Sequence, residues 1–344
     1  MNARTIALGG AAALALGKLA LSALERRHGM RLTGKVAVVC GGSRGLGLAI
    51  ARALARRRCS VAICARTASD LEAARAEIAS LGVAVYAEAC DLRRRADVDR
   101  FLGNVVARLG PIDVLVANAA TIAVAPLEAL DVRDFHEAME STFDTALLPA
   151  MAVVPSMRSR RAGTIAFITS IGGKIAVPHL APYSAAKFAA VGLAQGLRSE
   201  LAKDGVHVLT VVPGLMRTGS PVHASFKGDP VKEYAWFAAS ANAPLVSIDA
   251  DRAARRIVRA IERGASEITY TPAARFAART HDLAPSLWNE ALALVARMLP
   301  RGAGETRARE GLEVEDEAAR SPVVAAVRAR GRRFAYRHGQ LRAR

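Results

Sequence analysis

Two residues one helical turn apart carry the clearest chemistry in this 344-residue chain. Tyr183 and Lys187 form Y-x-x-x-K in Pro182-Tyr183-Ser184-Ala185-Ala186-Lys187-Phe188. On a helix that spacing puts both side chains on one face. A phenol has a reference pKa of about 10 and is a poor base at neutral pH; a neighbouring ammonium favours the phenolate and makes the pair a proton donor and acceptor. Ser170 lies thirteen residues earlier, just past the apolar run Thr164–Thr169, with a hydroxyl able to hydrogen-bond a substrate oxygen. Far upstream, Cys40-Gly41-Gly42-Ser43-Arg44-Gly45-Leu46-Gly47 gives G-x-x-x-G-x-G. Glycines let the backbone turn sharply and approach a pyrophosphate, and a helix opening there aims its amides at the phosphates. Y-x-x-x-K alone recurs by chance in many helices, and a glycine triplet alone is a modest signal. Their order and context give them meaning.

These residues need a scaffold, and the hydrophobic pattern supplies one. Short Val/Ile/Ala-rich runs at Val36–Cys40, Val61–Ala65, Val83–Ala89, Val114–Ala117, Thr164–Thr169 and Val206–Val212 read as strands buried on both faces. Amphipathic stretches alternate with them: Leu46–Arg58, Ala68–Leu81 and Ala96–Leu109. A further helix–strand unit follows at Asp249–Arg263 and Glu267–Thr271. The series predicts an α/β fold, a single doubly wound Rossmann-fold domain with a parallel sheet and right-handed crossovers. On it the glycine loop links the first strand to its helix, and Ser170 sits at the carboxyl edge, where such sheets bind ligands.

The end of the second strand decides between the two nicotinamide dinucleotides. An Asp or Glu there binds a ribose 2′-hydroxyl, whereas an Arg accepts a 2′-phosphate. The sequence reads Ile63-Cys64-Ala65-Arg66-Thr67, without an acid, and Arg44 in the glycine loop offers a second cation. A guanidinium suits phosphate geometry. The expected cofactor is NADP(H) in preference to NAD(H).

Composition limits the alternatives. An apolar fraction of 52% excludes wholesale disorder. The net charge is +17, which invites nucleic acid, yet aromatics make up only 5% and leave few platforms for stacking bases. No nucleic-acid partner is expected, and an anionic membrane surface explains the same charge better. Cys40, Cys59, Cys64 and Cys90 show no metal-ligand spacing and read as free, buried thiols in a reducing compartment; no metal is expected.

Residues 1–30 read as a hydrophobic N-terminal helix. Ile6 to Leu24 is interrupted only by Lys18 and Ser22, near the length that crosses a bilayer. The cations at 26, 27, 31 and 35 would leave the rest of the chain in the cytoplasm. The competing reading is an Ala-rich helix packed on a partner. Residues 31–271 form the catalytic domain, with a lid at about 219–245. Residues 272–344 form a helical, basic extension: Ala273–Pro300 helical, Arg301–Ser321 a loose charged stretch, and a tail with seven Arg and no acid after residue 321. That tail reads as a solvated basic end or as an adhesion to anionic lipid.

The glycine loop, Ser170, Tyr183 and Lys187 in this order resemble the short-chain dehydrogenase/reductase family over about residues 33–270. The resemblance implies that the loop from Gly41 through Ser43, Arg44, Gly45, Leu46 and Gly47 binds the pyrophosphate. Asp91 and Leu92 in Cys90-Asp91-Leu92 match the acid segment near the adenine. Asn118 matches a residue that shapes the fourth strand beside the cofactor, and Pro213, Gly214 and Thr218 match the stretch beside the nicotinamide. Tyr183 would be the acid/base, with Lys187 binding the nicotinamide ribose and lowering the Tyr pKa, and Ser170 positioning the carbonyl. Three positions depart from the family's pattern: Cys40 replaces Thr, Ala120 replaces Gly, and Thr142 replaces the Asn that helps hold a proton-relay water. Thr142 can still hydrogen-bond and is retained in the catalytic set. The resemblance also implies a homodimer or homotetramer paired through the Tyr183 helix and the one before it.

The expected reaction is the interconversion of a carbonyl and a secondary alcohol, favouring reduction. Phe226, Tyr234, Trp236 and Phe237 in the lid suggest an apolar substrate, lipid-, steroid- or acyl-like, unless those rings only fill a core. Two other readings stand beside this one: a soluble ketoacyl- or polyketide-type ketoreductase, and a non-catalytic NADP(H)-binding sensor or scaffold.

Overall fold

Each apolar run buries itself in one central sheet. The computed structural model describes residues 29–243, 247–302 and 305–341. The segment from 6 to 24 lies outside them. Among the described residues no helix is long and apolar enough to cross a membrane. Strands β1 (Val36–Cys40), β2 (Ser60–Ala65), β3 (Val85–Ala89), β4 (Val114–Ala117), β6 (Gly163–Ile168), β7 (Val206–Val212) and β11 (Glu267–Thr269) form a seven-stranded sheet in the order 11-7-6-4-1-2-3. Every pairing in it is parallel. The order reverses beside β1, which opens a crevice at the carboxyl ends of β1 and β4.

Helices cover both faces. On one side α1 (Gly45–Ala55), α2 (Ala68–Ala79) and α8 (Ala250–Arg263) pack Leu54, Ile78, Ile257 and Ile261 onto Val39, Ile63 and Val211. On the other, α3 (Arg95–Leu109), α5 (Thr145–Arg160) and α6 (Ala181–Leu201) pack Phe101, Met157 and Ala194 onto Val38, Leu115 and Phe167. Between α4 (Val132–Ala138) and α5 the helix widens into a π-turn, Met139–Asp144.

The lid and the extension fold together, which the sequence reading did not anticipate. Strands β5 (Ala123–Val124), β9 (Ser225–Gly228) and β12 (Glu305–Glu310) make a small three-stranded sheet, and β8 (Leu215–Arg217) pairs with β10 (Ser247–Asp249). The stretch expected to be loose, 301–321, therefore supplies β12 and α11 (Gly311–Ala318). The apolar stretch after Pro272 is broken into α9 (Pro272–Leu283) and α10 (Pro285–Met298). Pro285 supplies the break, because a proline restricts the preceding residue away from helix. The basic tail forms α12 (Pro322–Arg337) on α7 (Pro230–Asn242) rather than a solvated end. Arg328 and Arg332 reach Glu315 at 3.5 Å, and Arg337 approaches Asp249 at 3.8 Å.

The lid aromatics also depart from the apolar-substrate expectation. Phe226, Tyr234 and Phe237 are buried and meet edge-to-face at 5.6–6.0 Å, with Val314 and Ala318 of α11 in the same cluster. They build a satellite core. A buried carboxylate ties that core to the segment just before α6: Glu233, with no solvent exposure, accepts from His179 Nδ1 at 2.9 Å and Trp236 Nε1 at 2.6 Å. His179 adopts φ +63°, unusual for a residue with a side chain, and its bond to Glu233 helps hold it there. Glu233→Ala strands both donors. It should destabilise the fold by about 3 kcal/mol, read as a lower urea midpoint at constant slope.

Candidate active site

The crevice is built from strand ends. The glycine loop leaves β1, Arg66 leaves β2, Asp91 and Leu92 follow β3, Asn118 follows β4, and Thr169 and Ser170 follow β6. Gly41, Ser43, Arg44, Gly45, Leu46, Arg66, Asp91, Leu92, Asn118, Tyr183, Lys187 and Thr218 line one continuous cleft. Gly47, Ser170, Pro213 and Gly214 adjoin that lining; Ser170 is half-buried, with its hydroxyl on Tyr183. Pro213 accepts from the Ile171 amide at 2.7 Å, and Gly214 packs against Thr271 and Ala274.

The phosphate loop fits a dinucleotide because side chains are absent where backbone must pass. A Cβ on Gly47 would lie 2.0 Å from the Gly41 carbonyl oxygen and 2.7 Å from Asn118 Nδ2. Asn118 donates to that same oxygen at 3.1 Å and so ties the loop to β4. Gly41 and Gly45 take φ +71° and +61°, which favour glycine. Helix α1 then starts at Gly45 with its first amides unpaired within the helix, a ready site for phosphate.

The adenosine end is rich in cations. Burial holds the Arg44 guanidinium below its ordinary range, Asp70 pulls it back up and Arg66 pushes it down again, so the two guanidiniums feel one another. Asp70, 4.0 Å from Arg44, is an acid in this corner that the sequence reading passed over. Arg93 grips the Asp91 carboxylate at 2.6 and 2.9 Å and, as the largest effect, lowers its pKa to about 2.

The catalytic corner gathers on the first turns of α6. Lys187 is 4% exposed, and its Nζ donates to the Ile168 carbonyl at 3.0 Å while standing 5.7 Å from the Tyr183 ring centre. Burial lowers its pKa to about 8. The Tyr183 phenol moves against expectation. Burial raises its pKa, and the Ser170 hydroxyl that hydrogen-bonds it pulls the value only partly back. Ser170 also accepts from the Gly172 amide at 3.0 Å, which fixes its rotamer.

Thr142 does not line the cleft. It is 1% exposed, and its hydroxyl donates to the Thr121 carbonyl at 3.4 Å. Ser141 of the same π-turn and Thr145 at the start of α5 line the cleft instead, with Ser141 Oγ 2.6 Å from Thr121 Oγ1. A π-turn shifts the facing residues by a fraction of a turn, which regular helical spacing could not reveal. The other departures are accommodated: Ala120 is absent from the described residues with positive φ, and Cys40 shares a hydrogen bond with the Cys64 thiol inside the sheet. All four cysteines are free and buried.

A family model described as short chain dehydrogenase matches residues 35–225, more than half of the chain. The chain belongs to the short-chain dehydrogenase family. A curated dehydrogenase/reductase SDR family protein 7-like of Anopheles gambiae is 32% identical over 280 residues, spanning 79% of this chain and 86% of that one. A solved short-chain dehydrogenase from Streptomyces avermitilis aligns at a TM-score of 0.66 with 27% identity, covering 77% of this chain and 98% of its own. A variant of actinorhodin polyketide ketoreductase with NADPH aligns at 0.60 with 26% identity, covering 71% and 97%. As a member of this family the protein is an oxidoreductase that uses a nicotinamide cofactor. The model match stops at residue 225, so α7 onwards lies beyond it. In this short-chain dehydrogenase, Gly47→Ala should cost about 3 kcal/mol and abolish dinucleotide binding, because the methyl would meet the Gly41 carbonyl and the Asn118 side-chain amide. Thermal unfolding and fluorescence titration with NADPH check it.

Proposed function

We propose that this short-chain dehydrogenase interconverts a carbonyl and a secondary alcohol with NADP(H), running as a reductase. The observation that carries the reading is one cleft lined by a glycine cradle, the guanidiniums of Arg44 and Arg66, a half-buried Tyr183 and a buried Lys187. Hydride chemistry belongs to the nicotinamide. This chain handles the proton. Ser170, fixed by the Gly172 amide, holds the substrate oxygen beside the Tyr183 hydroxyl. Tyr183 gives its proton to that oxygen on reduction and takes it back on oxidation. Lys187, lowered by burial to a pKa of about 8, stays mostly charged at neutral pH. It also offers donors for the nicotinamide ribose. Thr142, already bonded to a carbonyl, is left out of the proton path, and Ser141 and Thr145 stand nearer to it.

Arg66 and Arg44 support a 2′-phosphate at the adenosine end, because two guanidiniums together suit a doubly charged group. With the lid rings turned into a core, an apolar substrate is supported by Ile122 and Met216, which line the cleft that holds Tyr183. Similarity to a polyketide ketoreductase supports a ketoacyl-type carbonyl as the second reading. Pairing of two chains through α5 and α6 is supported by Met151 and Phe188, 44% and 42% exposed on those helices.

Two variants test the reading. Tyr183→Phe should lower NADPH-dependent reduction of a ketone panel by roughly 10²–10⁴-fold while NADPH still binds; unchanged turnover would overturn the acid/base assignment. Arg66→Ala should weaken NADP⁺ about tenfold or more and leave NAD⁺ nearly unaffected, read from the two dissociation constants.

A further inference from the structure

The last described turn of the chain sits on the phosphate loop. The Gly45 amide, first in α1, donates to the His338 carbonyl at 2.6 Å. His223 Nε2 lies 2.8 Å from the Gln340 carbonyl and 3.1 Å from Arg44 Nη1, which links the tail to the cationic corner. A Cβ on Gly339 would stand 3.3 Å from Leu48 of α1. Helix α12, which carries this turn, is held along its own length. Arg52 of α1 donates to the Arg337 carbonyl at 3.2 Å, Arg217 lies over the Phe334 ring, and Ala335 packs directly on Gly219. The tail is therefore a built wall.

Gln340 is the residue this wall presents to the cleft. It lines the cleft together with Gly41, Ser43 and Leu46. Its amide lies so close to Gly45 that a Cβ there would meet Nε2 at 2.6 Å. Its Oε1 is buried and has no hydrogen-bond partner among the described residues. The end of the amide that stands beside Gly45 at the phosphate loop is Nε2, an N–H₂ with two hydrogens to donate. A donor beside a phosphate loop calls for an acceptor. The tail also removes a donor from the loop, because the His338 carbonyl takes the Gly45 amide. A side-chain amide from the same turn restores one.

We propose that the C-terminal turn is the outer wall of the dinucleotide's phosphate site and that Gln340 donates a hydrogen bond to a phosphate oxygen. The inference rests on the NADP(H) reading of the cleft and adds a ligand from outside the matched family region. A neutral amide facing a phosphate would bind better as a cation and worse as an anion.

The test measures dissociation constants for NADPH and NADP⁺, by fluorescence and calorimetry, on the full chain carrying Gln340→Ala, Gln340→Lys or Gln340→Glu, with Arg330→Ala as a tail control. Affinity should fall about tenfold in the Ala variant and further in the Glu variant, return to wild type or better in the Lys variant, and stay unchanged in the control. Matching melting temperatures separate this order from misfolding. Equal affinity across the Lys, Ala and Glu variants overturns the proposal, as does tighter binding by the Ala variant, which would make the turn a plug. Wild-type protein that binds no dinucleotide would instead remove the NADP(H) reading, and this inference with it.

Discussion

The carbonyl of Gly41 and the Cα of Gly47 approach until no methyl group fits between them, and Asn118 locks the contact from β4. The rest of the site depends on this closeness. It brings α1 down onto the end of β1, so that the helix's first amides point into the crevice between β1 and β4. It also fixes where Arg44 and Gly45 stand, and so where a 2′-phosphate and a pyrophosphate can be held. A larger residue at position 47 would separate helix from strand before any ligand arrived.

The catalytic pair shows how burial and charge compete. Removing Tyr183 and Lys187 from water disfavours both charged forms: it raises the phenol and lowers the ammonium. Helical spacing alone suggests that the Lys simply acidifies the Tyr. In the folded protein the ammonium is turned onto the Ile168 carbonyl, and Ser170 is the group that pulls the phenol back down. The chain's own atoms thus favour the protonated phenol.

The lid and the C-terminal extension are one structure. Phe226, Tyr234 and Phe237 have α11 for a partner, and α12 is tied to α11 because Glu315, at 2% exposure, collects Arg328 and Arg332. Removing several charges from water requires such pairing. The segment beyond the family match thereby gains a fixed path from the satellite core to the phosphate loop.

The sequence by itself determined the sheet and the residues that share its cleft. Val36–Cys40, Val114–Ala117 and Val206–Val212 are strands with the bounds their apolar runs suggested, and the glycine loop, Tyr183 and Lys187 meet in one cleft. Those signals are local: short β-branched runs bury in a parallel sheet, and a four-residue helical spacing shares a face. Tertiary structure decided what depends on partners far along the chain. The lid rings stayed open between a substrate wall and a core because α11, nearly eighty residues after Tyr234, fills the other side. Thr142 and Ser141 could not be told apart because a π-turn, invisible to regular periodicity, sets which of them faces the cleft. The basic tail read as solvated because its acids, Glu315 and Asp249, come from other elements. A charge run carries no address; only the fold shows which carboxylates it meets.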